Sequence, residues 1–144
     1  MKRYTQTFLA ALATGAILLS VTPAHASTLV ASERLIDGLR NGIPQDVYVT
    51  LDSDAINSDL AKMRAARGLL HDDRQIVEES CRRYAQMKKR LFGRRGMESV
   101  HIILDFECLA TVKVRIFDLA GLALLLRQPM VTNLSEPFQV TTTG

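Results

Sequence analysis

Three histidines and two cysteines are all that the chain offers among the residues that most often hold metals or drive nucleophilic chemistry, and His25 stands in an N-terminal export signal. Cys81 and Cys108 are isolated from each other, and no third ligand accompanies His71 with its neighbours Asp72 and Asp73, which read instead as a helix start. Neither His71 nor His101 lies in a nucleophile-elbow setting, and no Gly-rich loop is present to cradle a phosphate. The carboxylate pairs Asp72 with Asp73 and Glu78 with Glu79 are adjacent in sequence, so on a helix they diverge instead of facing one substrate. The chain is therefore expected to be no enzyme, and to need neither metal nor cofactor.

An excess of one charge is also missing. Of the 18 basic residues, Lys2 and Arg3 leave with the export signal, so 16 face 15 acidic ones, which argues against a nucleic-acid partner. The local exception is Arg82, Arg83, Lys88, Lys89, Arg90, Arg94 and Arg95, which occur with no acid between them. No aromatic residue interleaves on that face to stack bases or anchor in lipid, so it reads as a solvated helix face. The alternative function it leaves open is a secreted binding module that meets an anionic surface through this basic face, without protease inhibition.

What is present begins with Lys2 and Arg3, an apolar stretch over residues 8–21, then Pro23 and the small-x-small triplet Ala24, His25, Ala26. This is the pattern of a secretory signal peptide cut after about Ala26. A membrane anchor needs roughly 20 apolar residues, and this stretch supplies about two-thirds of that before small residues follow. Removal of residues 1–26 leaves 118, enough for one domain with a core and too few for two, destined for secretion or the periplasm. There Cys81 and Cys108 can pair as one disulfide, or stay as two small buried thiols, since each falls at an apolar position of its element.

From residue 100 to residue 116 every even position is apolar, from Val100 through Leu104, Phe106 and Cys108 to Ile116, while Asp105, Glu107, Thr111, Lys113 and Arg115 fall on odd positions. A period of two marks a half-buried sheet, and its length calls for two strands joined by an odd-length loop near residues 108–110. Earlier, Leu35, Ile36 and Leu39 lie in a short leading segment (27–44), and Val47, Tyr48 and Val49 open a β-branched strand. Two cap signals, at Ser53 with Asp54 and at Asp72 with Asp73, start a long or broken helical stretch. Its second half carries the stripe Ile76, Val77, Ser80, Cys81, Tyr84, Met87 and Leu91, read as core. Asp118 caps a leucine-rich helix that stops before Pro129.

The expected order is β (47–51), α (54–92), β (99–106), β (111–117), α (119–127), β (130–134), an α+β, ferredoxin-like split βαβ unit with an antiparallel sheet and helices on one face. The domain spans 45–134 and an extended polar tail follows, 135–144. Asn133, Leu134 and Ser135 also spell a glycosylation sequon.

The order and spacing of four stretches, residues 46–52, 83–88 (RYAQMK), 100–117 and 122–134, where a leucine-rich helix runs through Arg127, Gln128 and Pro129 into a last strand, resemble the propeptide-inhibitor domain of subtilisin-like serine proteases. Members of that family lay their sheet on the protease, thread the C-terminal tail through its active-site cleft and help it fold. The resemblance implies a subtilisin-like serine protease as partner and a monomer when free, and once the signal is cleaved no membrane contact is expected. It implies a docking face of His101, Ile103, Asp105, Glu107, Lys113, Arg115 and Phe117, with Ile103 and Phe117 as apolar members. It also implies a protease-binding tail of Glu136, Phe138, Val140, Thr141, Thr142 and Thr143, with Val140 in an apolar pocket, Thr143 beside the catalytic serine and Glu136 near the positive end of a protease helix. The chain ends at Gly144, where a zymogen continues into its protease, so the resemblance implies a free-standing inhibitor, a trans-acting folding helper or the remnant of a protease gene. It lacks the His-Leu-Pro-like turn of many relatives at residues 107–111, and Thr143 is smaller than the side chain most such proteases prefer.

Overall fold

The computed structural model describes residues 29–137; the signal region and the tail positions Phe138, Val140, Thr141, Thr142 and Thr143 lie outside the described residues. Four strands, β1 (Gln45–Leu51), β2 (Val100–Asp105), β3 (Thr111–Ile116) and β4 (Val131–Ser135), form one sheet of order β2-β3-β1-β4 in which every neighbouring pair is antiparallel. The fold is α+β, with helices and strands alternating as in the ferredoxin-like split βαβ arrangement.

Alternation sets which way the sheet faces. Val47, Val49 and Leu51 of β1 and Val112, Val114 and Ile116 of β3 are buried, and in register Val47 opposes Val114 and Val49 opposes Val112. Each such side chain contributes about 1.5–3 kcal/mol when taken from water into this layer. Against them pack Leu91 from α3 (Arg74–Phe92), Leu122 and Leu125 from α4 (Leu119–Leu126), and Leu35 and Leu39 from α1 (Glu33–Arg40). The leading segment is thus a helix of the core. Ser32 caps it, its hydroxyl accepting from the Leu35 amide at 3.1 Å, and the four-residue spacing of Leu35 and Leu39 turns both toward the sheet.

The long helical stretch is broken. Gly68, with φ of 65°, ends α2 (Asp54–Arg67) in the left-handed conformation that a side chain disfavours, and Asp73 then starts α3 by accepting from the Gln75 amide at 2.9 Å. Helix α2 packs on α3 and buries only Leu60. At α4, Asp118 accepts from the Gly121 amide at 2.7 Å, and the lack of a side chain at Gly121 lets the helix lie close over Ser99 and Val100.

Candidate functional site

Since the helices cover one side of the sheet, the side chains of opposite parity form an open face. One row across it holds Ser135, Tyr48, Lys113 and Leu104, and a parallel row holds Asp46, Arg115 and His101. Arg115 grips Asp46 through two hydrogen bonds, 2.7 and 3.1 Å, and the Lys113 ammonium lies 3.5 Å from the same carboxylate and 6.0 Å from the Tyr48 ring centre. The Arg115 hydrogen bond, against a smaller opposing effect of burial, holds the Asp46 carboxyl below the usual carboxylate range. Tyr48 meets Phe106 with ring centres 6.3 Å apart, and His101 meets Phe117 edge-on at 4.8 Å.

The face differs from the sequence expectation at one strand. Pairing of β2 with β3 shifts between Ile102 and Leu104: Ile102 opposes Val114 on the core side, but Leu104 opposes Lys113 on the open side and Asp105 opposes Val112. Ile103 is the extra residue of a β-bulge, and one extra residue reverses every side chain beyond it. The connection between Asp105 and Val112 contains an even number of residues, and the bulge supplies the odd one that the shared parity of the two strands requires. By register Ile102 keeps the core side but, on this edge strand, is itself 43% exposed. Leu104, expected inside, lies on the open face, while Asp105, expected there, turns to the helix side. There the Lys88 ammonium binds its carboxylate and donates to the Phe106 carbonyl at 2.7 Å.

Glu107 does not belong to the face either. It lies in the turn that follows β2, as does Cys108, which is bonded to Cys81 of α3 in a disulfide closing a separation of 27 residues. Cys108 is exposed, so the picture of two buried thiols gives way to a covalent tie between helix and hairpin. Of the anticipated docking residues, His101, Lys113, Arg115 and Phe117 share the open face, and Ile103 is exposed at the bulge. Sequence reasoning missed Asp46, Tyr48, Leu104 and Phe106. The alternation of β1, with Val47, Val49 and Leu51 inward, was a signal that could have placed Asp46 and Tyr48 there.

Glu136 follows β4 and accepts a hydrogen bond from the Ser32 hydroxyl. It therefore stands at the N-terminal end of α1, a helix of its own chain, where the helix dipole favours a carboxylate.

Three of the seven residues of the basic run hold an acid. Arg82 and Arg83 both pair with Glu79, Arg83 also reaches Asp59 at 3.0 Å, and Lys88 is buried at 2% exposure. Hydrogen bonds first from Arg82 and then from Arg83 lower the Glu79 carboxyl to about 2. Among the described residues no three His, Cys, Asp or Glu side chains gather in a metal-binding group, and no helix is long and apolar enough to cross a membrane. No family model, curated protein or solved structure matches the chain.

Proposed function

We propose that the protein is a secreted, non-enzymatic inhibitor or folding helper of a subtilisin-like serine protease, which docks by the open sheet face and occupies the active-site cleft with its C-terminal tail. The observation that carries this reading is the open face itself. It combines exposed Leu104 and Phe117 with the aromatic pair of Tyr48 and Phe106 and a fixed cluster of Asp46, Lys113 and Arg115. Apolar anchors ringed by satisfied charges are the composition of a protein-binding patch rather than of a solvated sheet. Strand β4, which leads into the tail, is an edge of that sheet and so has one side free of strand neighbours. The disulfide supports export, because such bonds persist in oxidising compartments.

The anionic-surface reading has less to draw on. Three of the seven cations it needs, Arg82, Arg83 and Lys88, are engaged by Glu79 or by Asp105.

The test is titration of Ser27–Gly144 against a panel of subtilisin-like proteases, beside a chain ending at Pro137, which keeps β4 and Glu136. Inhibition by the full chain that is lost on truncation, and weakened on the order of tenfold or more by Leu104→Asp, is the expected result. Failure to bind any member of the panel refutes the proposal. Binding to anionic vesicles that charge reversal at Lys89 and Arg90 abolishes would favour the alternative.

A further inference from the structure

Helix α2 meets α3 over a poorly filled wedge. Between them lies a cavity of about 480 Å³, floored by Leu60, Ile76 and Tyr84, with Cys108 of the disulfide at one side. Asn57, Arg64, His71, Val77 and Ser80 complete its wall, and no carboxylate lines it. Arg64 is half-buried in this wall, and among the described residues its side chain has neither an ion pair nor a hydrogen bond. The Asn57 amide accepts from the Tyr84 hydroxyl at 3.0 Å and donates to the Ser53 hydroxyl at 3.1 Å, so the one charged donor group that lines the cavity with no partner among the described residues is the Arg64 guanidinium.

We infer that this cavity binds a small amphipathic carboxylate, its acid group on the Arg64 guanidinium and its hydrocarbon body over Leu60, Ile76 and Tyr84. A planar guanidinium matches a carboxylate through two parallel hydrogen bonds, and desolvation beside an apolar floor strengthens them. The volume falls in the range of small-molecule sites, where an apolar lining and a few polar groups share the work of affinity and orientation. Helix α2, with one buried residue of its own, gains a filled contact with α3 when the wedge is occupied. The site lies among the helices, so the inference stands apart from docking by the open sheet face.

Octanoate, below its micellar range, is the probe, titrated into the oxidised chain Ser27–Gly144 and followed by amide chemical shifts. Saturable shifts should centre on Leu60, Arg64 and Ser80. Octanol and acetate, each lacking one half of the ligand, should bind at least about tenfold more weakly. Arg64→Gln should weaken octanoate about tenfold with little change in melting temperature, since among the described residues that side chain holds no ion pair or hydrogen bond to lose and glutamine keeps much of its stem. Val77→Glu, which brings an acid to the half-exposed Val77 of the cavity wall, should weaken it as well. Equal binding of octanol or acetate, unchanged affinity in Arg64→Gln, shifts centred elsewhere, or no saturation overturns the inference.

Discussion

Replacing Lys88 by methionine keeps the buried stem of the side chain and removes its ammonium. Lys88 is 2% exposed, so the stem goes on filling its place under the sheet, and the loss is confined to the bonds with Asp105 and the Phe106 carbonyl. Two hydrogen bonds from a charged donor are worth about 1.5–3 kcal/mol each. Several kcal/mol of ammonium desolvation are recovered in the variant. The Asp105 side chain is 43% exposed and regains water when its partner goes, whereas the Phe106 carbonyl is left short of a donor. The balance is a destabilisation of about 2 kcal/mol, smaller than for a fully buried pair because one partner already touches solvent. In urea, with a slope of about 1–2 kcal/mol per molar for a domain of this size, the midpoint should fall by about 1–2 M. Lys88→Met combined with Asp105→Asn should lose less than the sum of the two single changes. Hydrogen exchange should quicken at the β2 amides beyond Ile103, because Lys88 helps to hold Asp105 inward and Leu104 outward. An unchanged midpoint, or additive single changes, would refute the reasoning.

Reduction of the Cys81–Cys108 bond, or serine at both positions, should cost about 3–4 kcal/mol from the loop it closes, read as the difference between denaturation curves with and without reductant. Acid should weaken the fold in a defined window. The folded Glu79 carboxyl lies at about 2 against an ordinary 4.5, so its contribution is present above about pH 4.5 and fades as pH falls toward 2, with Asp46 and Asp118 acting in the same sense. Glu79→Gln should make the acid limb of the stability profile shallower, whereas an unchanged limb would remove Glu79 from the account. Gly121→Ala places a methyl 2.5 Å from the Ser99 hydroxyl and 2.9 Å from a Val100 methyl, so α4 must lift, at about 1–3 kcal/mol, which a thermal melt will read as a lowered midpoint.

The chain by itself determined its local elements. Val47, Val49, Val112, Val114 and Ile116 carry a period of two because a strand turns successive side chains to opposite sides, and this holds whichever strand lies next. Asp73 and Asp118 cap their helices by bonds that close within three residues, and Gly68 ends another by its own backbone freedom, so these boundaries needed no knowledge of distant parts. The order of those elements then led to the ferredoxin-like arrangement. Only the tertiary structure decided where the pattern breaks. The bulge at Ile103 arises from register against β3, and it exchanges Leu104 for Asp105 on the open face. Lys88 looked like one more surface cation because its partner is 17 residues away, and Glu136 meets Ser32 across 104. Cys81 and Cys108 were compatible with pairing, yet only the docking of the hairpin on α3 brings them together. Local periodicity is a property of backbone geometry and can be read along the chain, whereas charge pairing, register and covalent ties depend on which segments meet, and that is settled by packing alone.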